Sequence, residues 1–352
     1  MNKIAVLGLG KVGELAAQLL HDAKFEVTGF DMRDVSDNFA FPTKTVDLGS
    51  VASMRAEFEK VDAVLSCLPY HLNIEVARLA HDTGKHYFDL TEDVATTQTI
   101  IELAQTSRAA MAPQCGLAPG FVGIVGANLI AQLSECRSCR MRVGALPQNP
   151  TGLMGYAFNW SPEGVVNEYL NDCEVIEDGK RKWVSPMEWL ETIYIDGIKL
   201  EAFTTSGGLA TMCDTYLGQV ANIDYKTMRY PGHMRLMNFF FHELLMRERR
   251  QEAGEILVHA KPPVEDDVVY LHVAAEGTSD AKPARKEFVR AYRPLKIGGK
   301  HRTAISWTTS ASVVAVIEMV RDGKLPQRGF IKQEDIRLED FLGTTTGALY
   351  AG

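Results

Sequence analysis

The chain has 352 residues, of which 46% are hydrophobic and 23% are charged, and its formal net charge is −8 at pH 7. This length and composition predict an ordinary globular protein of two domains, and the acidic balance argues against nucleic acid or an anionic membrane as a partner. The longest uncharged stretch, residues 109–134, is interrupted by Pro113 and Pro119, so no membrane span is predicted. The chain starts with a strand pattern and no signal peptide, which predicts a cytoplasmic location.

The first thirty residues alternate a strand, a glycine turn, a helix and a second strand. The turn has the G-x-G-x-x-G pattern, in which Gly8 allows a tight turn, Gly10 lets a pyrophosphate approach the backbone, and Gly13 lets the helix pack on the strand. Residues 14–22 then have helical spacing, and the free N–H groups at the N-terminus of this helix can bind phosphate. Lys11 and Val12, inside the motif, are also expected to contact the cofactor. In this context the motif predicts a dinucleotide site, the alternative being a glycine-rich turn without a cofactor.

An acidic residue, Asp31, ends the second predicted strand. A carboxylate there favours an adenosine ribose with a free 2′-hydroxyl, which predicts NAD rather than NADP. Arg33 leaves NADP open, because an arginine can bind a 2′-phosphate. A third short strand is predicted at residues 44–48, and Asp47 and Leu48 at its end are also expected to contact the cofactor.

The next strong strand pattern covers residues 61–69. Ligands of doubly wound sheets meet the carboxyl ends of the strands, so the residues that follow are expected to border the nicotinamide. These residues are Cys67, Leu68, Pro69, Tyr70 and His71. Tyr70 is a candidate for substrate binding, and His71 is either catalytic or a residue that starts the next helix.

Residues 86–90 form another strand pattern, and an acidic tip follows it. Asp89 and Glu92 are candidates for a general base or for an anchor of a substrate ammonium group. The alternative is a solvated loop in which Glu92 or Asp93 caps the following helix. Strand and helix patterns alternate throughout residues 2–115, which predicts a parallel sheet covered on both faces.

The pattern changes after a glycine- and proline-rich turn at residues 116–123. Longer alternating runs with interspersed helices predict an α+β domain on a mixed or antiparallel sheet. Strands are predicted at 137–146, 155–160, 189–195, 199–203, 268–275, 288–292 and 304–309, and helices at 234–250 and 310–322. We therefore predict a dinucleotide-binding domain at 1–115, a substrate and dimerisation domain at 116–309, and a C-terminal segment at 310–352 that packs on the first domain.

Two features of the second half are chemically suggestive. Arg229, Tyr230 and His233 surround a Pro-Gly turn, where the arginine could hold a carboxylate and the other two could donate hydrogen bonds or transfer a proton. A surface turn is the alternative, and Trp160 is a further candidate for substrate binding.

The six cysteines are expected to be free thiols, and no metal site is predicted, because the CxxC at 136–139 has no second ligand pair at zinc spacing.

Several stretches match the pattern of one enzyme family. They are the glycine loop at 8–13, Leu-Ser-Cys-Leu-Pro at 65–69, Cys-Gly-Leu-Ala-Pro-Gly at 115–120, Leu-Glu-Ala-Phe at 200–203, Ser-Gly-Gly-Leu at 206–209 and Thr-Met-Arg-Tyr-Pro-Gly-His at 227–233. On these residues the chain resembles, essentially from end to end, the saccharopine dehydrogenase-like family, and within it the compact lysine 6-dehydrogenases. The last three stretches are the most specific.

The resemblance implies an N-terminal Rossmann domain, a second domain with substrate contacts and a homodimer interface, and NAD or NADP as oxidant. It also implies an amino-acid substrate, with oxidation of the carbon–nitrogen bond at the end of the L-lysine side chain or in a lysine-derived amine. Saccharopine or carboxynorspermidine is the alternative substrate, and a non-catalytic NAD(H)-binding sensor or scaffold is the alternative of another class.

Overall fold

The computed structural model describes residues 1–35, 39–47 and 54–351. Leu48, one of the predicted cofactor contacts, lies outside these residues. The protein forms two compact units, which we describe separately. The first comprises Met1–Ile124 together with the segment from Ser306 onward, and the second comprises Val125–Ile305.

The helices and strands are numbered in sequence order. The strands are β1 (Lys3–Leu7), β2 (Glu26–Asp31), β3 (Thr43–Thr45), β4 (Ala63–Ser66), β5 (His86–Asp89), β6 (Ala110–Ala112), β7 (Glu135–Pro147), β8 (Cys173–Glu177), β9 (Lys180–Val184), β10 (Glu191–Ile195), β11 (Ile198–Thr204), β12 (Asn222–Arg229), β13 (Asp267–Ser279), β14 (Lys282–Tyr292), β15 (Leu295–Ile297), β16 (Lys300–Arg302) and β17 (Gly329–Phe330). The helices are α1 (Lys11–Asp22), α2 (Arg55–Phe58), α3 (Tyr70–Thr83), α4 (Val94–Ala104), α5 (Phe121–Ala131), α6 (Pro162–Leu170), α7 (Met212–Tyr216), α8 (His233–Asn238), α9 (Arg250–Ala260), α10 (Ala304–Arg321) and α11 (Leu338–Leu342).

The first unit is built on a parallel seven-stranded sheet of order β17-β6-β5-β4-β1-β2-β3. The apolar run of β1 is buried, which is what a central strand covered by helices on both faces requires. The strand order reverses beside β1, and such a reversal opens a crevice at the carboxyl ends of the strands. The predicted Rossmann-type doubly wound sheet is confirmed.

The C-terminal segment is fixed to the first unit by a buried carboxylate and by aromatic packing. Glu318 of α10 accepts hydrogen bonds from the backbone N–H groups of Thr345 and Thr346, at 2.9 and 3.0 Å. Tyr350 stacks on Phe121 with 4.0 Å between the ring centroids. A buried carboxylate with two backbone donors is satisfied, so this segment is held by specific polar contacts as well as by apolar burial.

The second unit is built on an eight-stranded sheet with the order β10-β11-β12-β7-β13-β14, and β8 joins it by pairing with β12 and β9. The pairing of β12 with β7 is parallel, and the other pairings are antiparallel. The predicted α+β unit on a mixed sheet is therefore confirmed. In the described parts of the protein, no helix is both long and apolar enough to cross a membrane.

Several predicted elements of the second half are wrong. The run predicted as a strand at 304–309 is the first turn of α10, because the buried carboxylate of Asp267 accepts hydrogen bonds from the N–H groups of Ala304 and Ile305. The run at 155–160 is a loop. The single helix predicted at 234–250 is interrupted by a π-helical turn and by Leu245, whose φ of +57° is left-handed.

In the first half, boundaries moved by a few residues. α4 begins at Val94, directly after the acidic tip, because the Asp93 carboxylate caps it by accepting from the Thr96 N–H at 2.7 Å. α3 begins at Tyr70, so Tyr70 and His71 lie in its first turn.

Candidate cofactor and active site

The glycine loop between β1 and α1 has the geometry that phosphate binding needs. Gly8 has a φ of +85°, which L side chains rarely adopt. A Cβ atom on Gly13 would lie 1.8 Å from the Gly8 carbonyl oxygen, so only glycine allows the helix to pack there. A Cβ atom on Gly10 would meet nothing within 4 Å. Gly10 therefore faces open space. A side chain at this position would occupy the space in which a ligand could bind.

The first turn of α1 supplies the donors for that space. Gly10 is the N-cap residue and carries no group that could cap the helix. The first intrahelical bond runs from the Glu14 N–H to the Gly10 carbonyl. The N–H groups of Lys11, Val12 and Gly13 have no hydrogen-bond partner within the described ranges. Such donors at the positive end of a helix dipole bind phosphate, so the loop fits the pyrophosphate of a dinucleotide.

The carboxylate of Asp31 is buried and already bonded at the end of β2. It accepts from the Leu9 N–H at 2.8 Å, and the Arg33 guanidinium binds both carboxylate oxygens at 2.9 and 3.0 Å. The Arg33 bonds lower the pKa of Asp31 to about 2. An anionic group and an exposed guanidinium therefore stand together where the adenosine ribose is expected. Asp47 lies close to Asp31, because the N–H of the neighbouring Val46 donates to the Asp31 carbonyl. Asp47 is exposed.

The end of β4 forms the other wall beside the glycine loop. A Cβ atom on Gly8 would lie 3.0 Å from the Cys67 carbonyl oxygen and 3.0 Å from the Leu68 side chain. Burial and the nearby Asp89 raise the pKa of the Cys67 thiol to about 12, so this cysteine is a neutral thiol. The six cysteines of the protein are all free. Pro69 is exposed and leads into α3.

Tyr70 and His71 occupy the first turn of α3, with an edge-on ring contact at 5.9 Å between centroids. His71 is exposed and Tyr70 is half-buried. Both of the roles offered for His71 remain predictions, since a residue that starts a helix at the mouth of a strand can also contact a ligand.

Asp89 lies at the end of β5, paired in register with Ser66 of β4, and it has no exposed surface. Its carboxylate accepts from the Tyr87 hydroxyl at 2.7 Å and from the N–H groups of Thr91 and Gln114 at 3.0 Å each. Burial raises the pKa of Asp89 to about 6. The carboxylate thus ties the loop after β5 to the loop after β6, which is the geometry of a residue that positions its neighbours.

Glu92 and Asp93 follow on the same loop. Asp93 caps α4, as described above. A helix cap at Glu92 or Asp93 was one of the two alternatives predicted for the acidic tip. Glu92 is half-buried and follows Thr91, whose N–H binds the Asp89 carboxylate. Of the two candidate acids, Asp89 is fully buried and Glu92 is partly exposed.

Arg229 and His233, on either side of the exposed Pro-Gly turn, lie inside the core of the second unit. Arg229 ends β12 and is 2% exposed. Its Nε donates to the Tyr169 hydroxyl at 2.8 Å, its Nη1 donates to the Met228 carbonyl at 2.9 Å, and its guanidinium lies 4.7 Å from the Tyr156 ring centroid. A buried cation with these contacts is held by a hydroxyl, a carbonyl and a π face.

His233 completes this buried network. Its Nδ1 lies 3.0 Å from the Met154 carbonyl and its Nε2 lies 3.0 Å from the Tyr169 hydroxyl. A carbonyl only accepts, so Nδ1 carries the proton and Nε2 accepts from Tyr169. Burial and the Arg229 charge lower the pKa of His233 to about 3. His233 is therefore neutral at physiological pH, and its contacts favour a hydrogen-bonding role over proton donation.

The remaining predicted contacts of the second unit are also anchored. The Tyr230 hydroxyl donates to the Pro147 carbonyl at 2.9 Å, and burial raises its pKa to about 12. Trp160 packs, half-buried, against the hydrophobic core of this unit.

Sequence reasoning missed the residues that hold these groups in place. Tyr169 joins Arg229 to His233, and Glu201 accepts from the N–H groups of Gly232 and Met234, both at 2.7 Å, to cap α8. Gln114, with a φ of +63°, presents its N–H to Asp89. Each lies at least twenty-five residues from its partner, so no local pattern could have revealed the contact.

Comparison with known proteins adds the family to this geometry. Residues 4–115 match the family model "Saccharopine dehydrogenase NADP binding domain", and residues 116–347 match "Saccharopine dehydrogenase C-terminal domain". The protein is 22% identical over 323 residues to the NADP(+), L-glutamate-forming saccharopine dehydrogenase of Pyricularia oryzae, covering 84% of this chain and 71% of that protein. It is 23% identical to the mitochondrial alpha-aminoadipic semialdehyde synthase of Mus musculus, covering 68% of this chain but only 28% of that protein.

A solved structure shares the fold. Apo saccharopine dehydrogenase (L-Glu forming) from Saccharomyces cerevisiae aligns with a TM-score of 0.74 at 15% identity, covering 98% of both proteins. The resemblance inferred from the motifs is confirmed, since the two family models together span nearly the whole sequence. The chain belongs to the saccharopine dehydrogenase family of NAD(P)-dependent oxidoreductases.

Proposed function

We propose that this protein oxidises the carbon–nitrogen bond at the end of the L-lysine side chain, or the equivalent bond of a closely related lysine-derived amine. One observation carries the proposal. The glycine loop that can bind phosphate follows β1, and the acidic loop that Asp89 fixes follows β5 of the same sheet. Membership of the family supports the reaction class, and the match to the compact members by motif favours free lysine.

The first unit supplies the cofactor site. The glycine loop and the first turn of α1 would hold the pyrophosphate, and Asp31 with Arg33 would meet the adenosine end. Cys67, Leu68 and Pro69 would border the nicotinamide. When bound, the nicotinamide ring accepts the hydride from the carbon that carries the nitrogen. The protein's own contribution is orientation and proton transfer.

Glu92 is the residue that we assign to the substrate amine. Its carboxylate would bind the ammonium group and take the proton that the amine must lose before oxidation. Asp89 would act through the backbone: its three accepted hydrogen bonds fix the loop that carries Glu92. Tyr70 and His71 would flank the same strand ends and contact the substrate.

The substrate carboxylate stays assigned to the group Arg229, Tyr230 and His233, with Trp160 as a further contact. The burial of Arg229 favours a role in which it holds Tyr169 and His233 in place, and direct contact with the carboxylate would require the guanidinium to gain exposure. An Arg229→Ala variant that keeps its KM for the amino acid would remove the carboxylate role.

A screen with both cofactors tests the proposal. The absorbance of the reduced cofactor is followed with lysine, saccharopine and carboxynorspermidine, each with NAD and with NADP. Turnover of lysine alone supports the proposal. Turnover of saccharopine or carboxynorspermidine supports the second candidate, and the names of the two saccharopine dehydrogenases that the chain resembles favour saccharopine. Tight cofactor binding without turnover of any of the three favours a sensor or scaffold.

The same proposal includes NAD as the preferred cofactor, a homodimer and a cytoplasmic location. The Asp31 carboxylate supports NAD, whereas Arg33 and the name of the N-terminal family model support NADP. An Asp31→Ser variant should shift preference toward NADP, and unchanged NAD use would refute the role of Asp31. Light scattering of the purified protein tests the dimer.

A further inference from the structure

A charged cleft of about 540 Å³ opens in the second unit, and none of the predicted site residues lines it. Its volume lies within the range of small-molecule sites, about 300–1,000 Å³. Three segments line it: the end of α6, the loop between β9 and β10, and the stretch from α8 to the start of α9. The charged groups are Asp172, Glu188, Arg247 and Arg250, and His242 and Asn238 lie beside them.

One wall of the cleft is locked in place by a single buried threonine. The Thr204 hydroxyl donates to the Ser185 carbonyl at 2.9 Å and accepts from the Glu188 N–H at 3.0 Å, while its backbone carbonyl accepts from the Met187 N–H at 2.7 Å. These bonds hold Met187 at a φ of +55°, which is left-handed and costs a non-glycine residue energy. A strained loop that its surroundings fix so completely is typical of a ligand site.

The opposite wall is irregular in a similar way. The helix from His233 continues as a π-helical turn, Phe239–Glu243, and then passes through the left-handed Leu245. Such π turns are rare and recur at functional sites. The deviation ends the helix early and brings Arg247 and Arg250 to the cleft instead of carrying the helix past it.

The four charged residues of the cleft are exposed, and the two arginines are held by hydrogen bonds rather than by ion pairs. Arg250 donates to the amide oxygens of Asn167 and Asn171 at 3.0 and 2.8 Å, and Arg247 donates to His242 Nδ1 at 3.2 Å. Within the described part of the chain, neither arginine lies within 4.0 Å of a carboxylate oxygen, and neither Asp172 nor Glu188 lies that close to a cationic nitrogen. Two cations and two anions thus share one cleft without neutralising one another.

We propose that this cleft binds a small zwitterion of the amino-acid type. Its carboxylate would accept charge-assisted hydrogen bonds from Arg247 and Arg250, and its ammonium group would donate to Asp172 and Glu188. A ligand of one sign would meet repulsion from one pair of charges, so the arrangement selects a molecule that carries both. Because α6 also carries Tyr169, such a ligand binds the element that holds Arg229 and His233.

Isothermal titration of the full-length protein without cofactor tests this proposal, and it is independent of turnover. The probes are two zwitterions, L-norleucine and 6-aminohexanoate, with the dianion glutarate and the dication cadaverine as controls. We expect at least one zwitterion to bind at least about tenfold more tightly than either control, a difference of about 1.4 kcal/mol. Hydrogen exchange should show protection in peptides that cover residues 182–190 and 238–250.

Variants locate the binding. Arg247→Gln and Glu188→Gln should each weaken the zwitterion at least about tenfold, whereas Arg249→Gln should leave it unchanged, because Arg249 is exposed, pairs with Glu252 and does not line the cleft. Circular dichroism confirms that each variant is folded. The proposal is overturned if no probe binds, if glutarate or cadaverine binds as tightly as the zwitterions, or if binding persists in both cleft variants.

Discussion

The replacement Asp89→Asn separates the two roles open to the buried acid at the end of β5. The carboxylate accepts three hydrogen bonds, and an amide can keep all three contacts. Its oxygen would accept from the N–H groups of Thr91 and Gln114. Its NH₂ group would donate to the Tyr87 hydroxyl, which can turn its own proton toward the Asn73 carbonyl, now 3.4 Å away. The variant therefore removes the charge and little else.

The expected gain follows from the pKa of Asp89. Burial raises this pKa from the ordinary 3.8 to about 6, a difference that corresponds to about 3 kcal/mol. A raised pKa means that the carboxyl contributes fully to stability below about pH 4 and that this contribution is lost as the pH rises through about 6. The amide does not titrate. Above about pH 6, Asp89→Asn should therefore be more stable than the parent by up to about 3 kcal/mol, and near pH 4 the two should converge.

Urea unfolding at several pH values from about 4 to about 8 measures this difference. Asp89→Ala is the contrast, because it leaves the N–H groups of Thr91 and Gln114 without an acceptor and should cost several kcal/mol, at about 1–3 for each donor. A difference between Asp89→Asn and the parent that does not change with pH would refute the reasoning from burial.

Activity adds a second criterion. If Asp89 positions the loop, Asp89→Asn keeps most of kcat with the substrate found by screening, whereas Glu92→Gln loses about a hundredfold or more. A loss in Asp89→Asn as large as in Glu92→Gln, in a variant of the expected stability, would make Asp89 itself the base.

Four further replacements test the remaining parts of the structure. Gly10→Ala should fold and lose no more than about 1 kcal/mol, because alanine is a poorer N-cap than glycine. It should bind NAD(H) at least about tenfold more weakly in a fluorescence titration, because its new methyl group meets no protein atom within 4 Å and would occupy the space of the ligand. Gly13→Ala should instead lose several kcal/mol in urea, because its methyl group would lie 1.8 Å from a backbone oxygen. Arg33→Ala should weaken NADP binding by about tenfold or more and leave NAD unchanged or tighter, and an equal loss for both cofactors would contradict the role of this guanidinium. Tyr169→Phe removes the hydroxyl that joins Arg229 to its histidine and should lower the free energy of unfolding by about 2–4 kcal/mol; a loss below about 1 kcal/mol would mean that the buried network is not continuous.

The first unit could be predicted from the sequence because its signals are local. Gly8 and Gly13 are required within a few residues of each other, and strands such as β1 are buried on both faces and therefore read as unbroken apolar runs. Even the cap of α4 was among the alternatives, since Asp93 stands next to the helix it caps. Each of these facts depends on contacts within one strand-turn-helix unit.

Prediction of the second unit failed where residues distant in sequence decide the secondary structure. Ala304 begins a helix because Asp267, thirty-seven residues earlier, caps it, and no local pattern contains that carboxylate. β12 was not foreseen at all, although it is a central strand, because it carries Asp224, Lys226 and Arg229 among its apolar residues. Arg142 on the neighbouring β7 forms an ion pair with Asp224 at 2.7 Å. Part of this sheet is therefore stabilised by ion pairs between strands, which a search for alternating hydrophobic residues does not detect.

The arginine turn shows why residue types alone mislead about a site. Arginine, tyrosine and histidine around a Pro-Gly turn look like ligand-binding groups that await a partner, and a surface position would give them that freedom. Here the partners are protein: Tyr169 and Met154 lie sixty or more residues away in sequence, and they saturate the imidazole and bind the guanidinium Nε. An ionised guanidinium that is 2% exposed is stable only with such partners, so its burial already implies the network around it. The group can still serve catalysis, but it does so first by fixing the end of β12 and the start of α8, and any contact with a substrate must be compatible with those bonds.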